Sequence, residues 1–167
     1  IYKKKRIGSF GDIACFSFFA NKNLTTGEGG MVVTASQDLA DKVRSFKNLC
    51  FKLAGPRDFI HDEIGFNYRM SNIHAAIGLA QVEKADEYKQ LRLNHGALYR
   101  DLLKDASGIT FQAEHRDSEN VYWMNALVVD PEVYGRTRDE VVDFLKENMV
   151  QTRMLFAGMH CQPSLKK

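Results

Sequence analysis

One lysine stands where an amine could do covalent chemistry. Residues Ser17 to Gly30 read S-F-F-A-N-K-N-L-T-T-G-E-G-G. Lys22 therefore follows a short apolar run, Ile13 to Phe19, and precedes a glycine-rich turn. A lysine is costly to bury unless it is paired or chemically used. Buried lysines in general shed their proton more readily, which frees the amine to attack a carbonyl. The Ser17 hydroxyl and the backbone N–H groups of the turn could hold phosphate oxygens. An amine beside a phosphate cradle is what pyridoxal phosphate requires. The same spacing also fits an exposed loop lysine beside a structural turn, and Glu28 fits a solvated turn residue.

The elements that must position this lysine follow from periodicity. Ile13–Phe19 suits a buried strand, and Met31–Thr34 a second one. Ser36 reads as the N-cap of a helix carrying Leu39, Ala40, Val43 and Phe46, which fades by Asn48-Leu49. Residues 50–66 are loop-like, broken by Gly55-Pro56. Ser71 or Asn72 caps the longest helical pattern, which runs through Ile73, Ile77, Ala80, Tyr88 and Leu91 to Leu102. That is long for one globular helix, so it is predicted to kink or to bridge two lobes. After Ser107-Gly108, Val121–Val129 reads as a strand, Thr137 caps a helix with Val141, Val142, Phe144 and Leu145, and Gln151–Leu155 reads as a further strand. This group predicts a small α/β lobe with Tyr122 and Trp123 in its core.

Composition narrows the classes. The 167 residues are 44% hydrophobic and 26% charged, with net charge +2, the balance of a folded globular chain and not of a disordered one. The basic cluster Lys3–Arg6 reads as a solvated turn; a nucleic-acid surface would need a larger excess of positive charge. Cys15, Cys50 and Cys161 form no C-x-x-C pair, so neither a zinc site nor a disulfide framework is expected, and a reducing cytoplasm suits them. No apolar run approaches the roughly 20 residues that span a bilayer. The opening at Ile1 without Met, and the close on Pro163–Lys167, suggest a segment of a longer protein.

Three blocks carry a resemblance. G-S-F-G-D-I-A-C-F-S-F at 8–18 with N-K-N-L-T-T-G-E-G-G-M-V-V-T at 21–34 resembles the lysine region of the DegT/DnrJ/EryC1/StrS aminotransferases. I-G-F-N-Y-R-M-S-N-I-H-A-A-I-G-L-A-Q-V-E-K at 64–84 is similar to the family's second signature, and Q-T-R-M-L-F-A-G-M-H-C-Q-P at 151–163 to its C-terminal one. Order and spacing agree along nearly the whole chain. The resemblance implies an α/β fold of the aspartate-aminotransferase type (fold type I). Residues 1–70 would be the latter part of the large pyridoxal-phosphate domain, 71–105 a connecting helix and 106–167 the small C-terminal lobe.

By position, Lys22 resembles the lysine that joins the cofactor covalently and later moves a proton. Ser17 resembles the hydroxyl on the cofactor phosphate. Asn67 resembles an asparagine that reaches the phosphate from the partner subunit, which implies a homodimer with shared sites. Tyr68, Arg69 and His160 resemble substrate-side residues, though a supporting role suits Tyr68 and Arg69 and a packing role suits His160 equally well. His61 is open in the same way, and His74 reads as packing. The implied reaction passes an amino group, from glutamate, to a keto group of a nucleotide-linked sugar, with no metal. A dehydratase branch of the family has histidine in place of the lysine, and a non-catalytic relative of the fold is a further alternative. The family's aspartate on the pyridine nitrogen and its ring-stacking aromatic lie upstream of the segment that Ile1 begins.

Overall fold

The structure, a computed structural model, describes residues 1–165 apart from Arg57 and Asp62, so those two positions of the expected 50–66 loop lie outside the described residues. It is α/β, built as two units: Ile1–Leu93 with Glu114–Trp123, and Asn94–Ala113 with the segment from Met124 onward.

In the first unit, β1 (Ile13–Ser17) pairs antiparallel with β2 (Gly30–Thr34), from Ile13 opposite Thr34 to Ser17 opposite Gly30. A connection of residues 18–29 carries Lys22 between them. The strand was expected to be buried, but Ile13 and Phe16 are both more than 40% exposed. A two-stranded ribbon has too few neighbours to cover its own faces. Helix α1 (Gln37–Lys47) begins at Ser36, whose hydroxyl accepts from the Leu39 N–H at 3.3 Å, as the sequence predicts.

The long periodic stretch is two helices, α2 (Asn72–Glu83) and α3 (Ala85–Leu102), broken at Lys84. Ser71 caps α2 through the His74 N–H, and its hydroxyl also meets His74 Nδ1 at 2.9 Å. His74 thus serves the helix start and not a packed core. The basic cluster at the chain start forms a tight turn, in which Tyr2 and Lys5 exchange both backbone bonds and Lys3 and Lys4 take positive φ.

The second unit pairs β3 (Ile109–Phe111) antiparallel with β4 (Leu127–Val129). A short helix α4 (Pro131–Tyr134) and a longer α5 (Arg138–Glu147) follow. Two strand expectations are corrected here. Only Leu127–Val129 of the Val121–Val129 run is a strand, because Tyr122 takes φ 45°, which no ladder tolerates. Gln151–Leu155 has no strand partner among the described residues, so apolar content alone did not make a ladder.

Helix α5 starts on a reciprocal cap. Thr137 Oγ1 accepts from the Glu140 N–H at 3.3 Å, and the Glu140 carboxylate accepts from the Thr137 N–H at 2.7 Å. The Thr137 N–H, then its hydroxyl, hold the Glu140 carboxyl below its usual value of 4.5. A carboxyl lowered in the fold contributes stability above its unfolded value and loses it as pH falls through the folded one. The first turn of α5 should therefore loosen in acid below that range. Thr137→Ala should cost about 1 kcal/mol at neutral pH. Amide exchange of residues 138–141 reads both effects; unchanged exchange in the variant would remove the cap from its role.

Among the described residues, Cys50 and Phe51 are the only hydrophobic ones that are buried. Helix α2 is apolar on every side, and Ile73, Leu79 and Val82 are each more than half exposed. A helix apolar all round is one that is normally covered on all sides.

Candidate active site

The connection holding Lys22 is folded by its own threonines and glycines. Phe18 N–H donates to Gly29 O and Thr26 N–H to Phe18 O, both at 2.9 Å, which closes the loop above the strand ends. Thr25 Oγ1 donates to Phe18 O and accepts from the Gly27 N–H. Thr26 is 2% exposed and donates its hydroxyl to Glu28 O at 2.6 Å. Gly27 takes φ 82°, and a Cβ on Gly29 would fall 2.6 Å from Thr26 Oγ1. Helix α2 presses on the same turn. Gly78 faces Thr26 so closely that a Cβ would sit 2.8 Å from its methyl group, and Gln81 Oε1 accepts from the Thr25 N–H at 3.4 Å.

The amides of Thr25, Thr26 and Gly27 are already engaged within the protein. Gly27 supplies left-handed backbone there, and Gly29 allows the close approach of Thr26. Ser17 lies at the end of β1, exposed, with Oγ accepting from the Phe19 N–H at 3.3 Å, which leaves its own O–H to donate.

Lys22 is half-buried. Its Nζ lies 3.5 Å from the centre of the Trp123 ring, and Trp123 Nε1–H donates to Asn21 O at 2.8 Å. The indole thus grips the peptide before the lysine and faces its amine, an attraction worth about 1 kcal/mol at a partly exposed site. Trp123 had been expected in the core of the small lobe. It belongs instead to the 114–123 segment that returns to the first unit, together with Tyr122. Sequence reasoning missed it because the contact joins residues 102 positions apart. Being the chain's one tryptophan was the only signal available.

Next to the lysine, Asn23 Oδ1 is buried with no hydrogen-bond partner among the described residues. An unsatisfied buried acceptor costs about 1–3 kcal/mol, which marks a position where a donor is wanted.

Asn67 is held by the end of α1. Asn48 and Asn67 form an antiparallel bridge, Phe66 N–H donates to Phe46 O at 2.7 Å, and Tyr68 N–H donates to Lys47 O at 3.0 Å. Arg69 Nε–H donates to Asn67 Oδ1 at 3.2 Å, which turns the amide so that its NH₂ is left as a donor. Tyr68 stacks on Phe66, ring centres 5.2 Å apart and planes 7° from parallel, and both rings are exposed. His61 Nδ1 meets Leu49 O, and its ring lies 4.5 Å from that of Phe51, so it supports the loop before Asn67. Two open hollows, about 450 and 380 Å³, are lined by residues of this loop region and of α1. His160 falls in the second unit, exposed, in a single helical turn Met159–Cys161.

These features describe an α/β protein that presents a lysine amine on a hairpin connection, with a serine hydroxyl at the end of the strand that leads into it. The chain belongs to the DegT/DnrJ/EryC1/StrS aminotransferase family, whose description matches residues 1–167. It is 41% identical over 162 residues to a GDP-perosamine synthase of Escherichia coli O157:H7, covering 97% of this chain and 43% of that protein. It is 31% identical to the spore coat polysaccharide biosynthesis protein SpsC of Bacillus subtilis, covering 99% of this chain and 45% of that one. Among solved structures it is similar to DesI crystallised in the presence of its TDP-sugar product, with TM-score 0.85 and 33% identity over 98% of this chain and 41% of that chain. The chain thus spans less than half the length of these relatives.

Proposed function

We propose that the protein carrying this chain moves an amino group from glutamate to a keto group of a nucleotide-linked sugar, for polysaccharide or lipopolysaccharide assembly, using pyridoxal phosphate held at Lys22. The observation that carries this is the half-buried Lys22 amine, in the family-matched block, on a connection braced from both α2 and Trp123. The residues present fit the cofactor: the free O–H of Ser17 and the NH₂ of Asn67 suit a phosphate, and the orphaned Asn23 Oδ1 lies beside the lysine. Pyridoxal phosphate, when bound, supplies an aldehyde for the amine and a ring that withdraws electrons from the substrate carbon. Lys22 takes up and returns the proton at that carbon through Nζ. Ser17 donates to the phosphate, and Arg69 keeps Asn67 turned to do the same. Tyr68 and His160 are proposed on the sugar side. A lysine at position 22, where the dehydratase branch has histidine, favours amino transfer.

The chain is proposed to act as a homodimer in which Asn67 serves the partner's site. The uncovered apolar surface of α2 supports this, since such a face needs covering. Residues 1–70 are proposed as part of the large domain, 71–105 as the joining helices and 106–167, apart from the 114–123 segment that returns to the first unit, as the small lobe. The division between the two units inside α3 supports a joining role for that helix. A cytoplasmic location is supported by three unpaired cysteines, two of them exposed. Among the described residues no helix is long and apolar enough to cross a membrane.

The test is a panel of nucleotide-linked 3-keto and 4-keto deoxysugars offered with glutamate to the full-length protein. Formation of 2-oxoglutarate together with an amino sugar is expected, with the 4-keto sugars the better acceptors. Loss of an oxygen from the sugar without amine gain would instead assign the dehydratase reaction.

A further inference from the structure

A lysine that bonds to a cofactor and also moves protons must exist in two states, bonded and free. In the structure the Lys22 amine lies against one ring. We propose that Trp123 is a positioning residue whose indole is the resting seat of the free Lys22 amine. Two contacts define the seat. The ring face lies 3.5 Å from Nζ, where the negative face of the aromatic attracts an ammonium. The ring's own N–H is tied to Asn21 O at 2.8 Å, so the ring is fixed relative to the peptide that carries the lysine.

The segment bearing the indole is itself anchored in the same unit. Glu119 N–H donates to Ile1 O at 3.0 Å, Lys3 N–H donates to Asp117 O at 2.7 Å, and Asn120 N–H donates to the Glu114 carboxylate. Tyr122 N–H donates to Asn120 Oδ1 at 3.1 Å, just before the indole. The ring is therefore a fixed surface. The lysine side chain, with four rotatable bonds, is the moving part. A released amine would otherwise spread over many rotamers, and a single seat returns it to one starting point for each proton transfer.

This role rests on the function proposed above, but the contact can be tested without turnover. The probe is a small acylating reagent, N-acetoxysuccinimide, applied to the full-length protein free of cofactor. Mass spectrometry follows acylation of Lys22 against the exposed Lys42 and Lys47 as internal references. Trp123→Leu removes the ring and should raise the Lys22 rate about fivefold, with the reference lysines unchanged. Trp123→Phe keeps a ring face but loses the bond to Asn21, and should stay within about twofold of wild type. Equal rises in both variants, or no rise in the leucine variant, would overturn the seat.

A measurement on the unaltered protein decides the matter should the leucine variant fail to fold. With ¹³Cε-labelled lysine, the Lys22 ε-methylene protons should resonate upfield of those of Lys42 and Lys47, displaced by the ring current. An ordinary shift for Lys22 would overturn the proposal. A protein that shows the upfield signal and the acylation contrast but no amino transfer would keep the seat and sink the enzymatic reading instead.

Discussion

Lys22→Ala in the full-length protein is expected to lower amino transfer by about a thousandfold or more, since it removes both a covalent amine and a general acid–base group. The alanine protein should also lose the visible absorbance of covalently held cofactor while still binding it weakly through phosphate contacts. The fold should survive. Lys22 makes no ion pair among the described residues, and the loop that carries it is closed by Phe18, Thr25, Thr26 and Gly29. Mixing this variant with Asn67→Ala extends the test to the assembly. If each site takes its lysine from one subunit and its asparagine from the other, half of randomly mixed dimers are hybrids. Each hybrid has one intact site, so about a quarter of wild-type activity should return. An alanine protein that retains turnover and absorbance would end the case for Lys22, and mixtures no better than their components would end that for shared sites.

Gly65→Ala is expected to give the largest structural effect, about 3 kcal/mol of destabilisation. A Cβ there would lie 2.4 Å from both Cys50 N and Leu49 C, and 2.6 Å from Leu49 Cα. The obstacle is backbone, and it has little room to yield. Leu49 and Cys50 already hold φ of 62° and 53°, a region that side chains other than glycine enter at a cost. Leu49 N–H is also bound to Phe66 O, and Cys50 N–H to Ser45 O. Relief would have to come from residues 65–68, which peel from the end of α1 and take Asn67 with them. Thermal unfolding and cofactor affinity should fall together. An unchanged melting midpoint would mean that the two strands of chain are not pressed together as described.

Much of this protein could be read along one dimension. Ser36, Ser71 and Thr137 were recognisable as caps because a cap is a contact over three residues. The lysine connection was recognisable because a glycine run and its neighbours form one contiguous block. The break at Lys84 was implied by a helical pattern too long for a single straight element. What misled was apolar content. Val121–Val129 and Gln151–Leu155 have strand-like residues, but a ladder needs a partner in register, and one torsion at Tyr122 prevents pairing over the first half.

Residue types and local spacing placed the helix starts, and three blocks of sequence carried the resemblance to the family. Two matters needed the chain to be folded. One is the hold on the glycine-rich turn, where the amides of Thr25, Thr26 and Gly27 bond to Gln81, Phe18 and a threonine hydroxyl and so shape the loop. The other is the company Lys22 keeps, an indole that arrives from 101 positions further along the chain. Both depend on long-range contacts, and a contact of that kind leaves no periodicity in a sequence because each partner satisfies only its own local preferences.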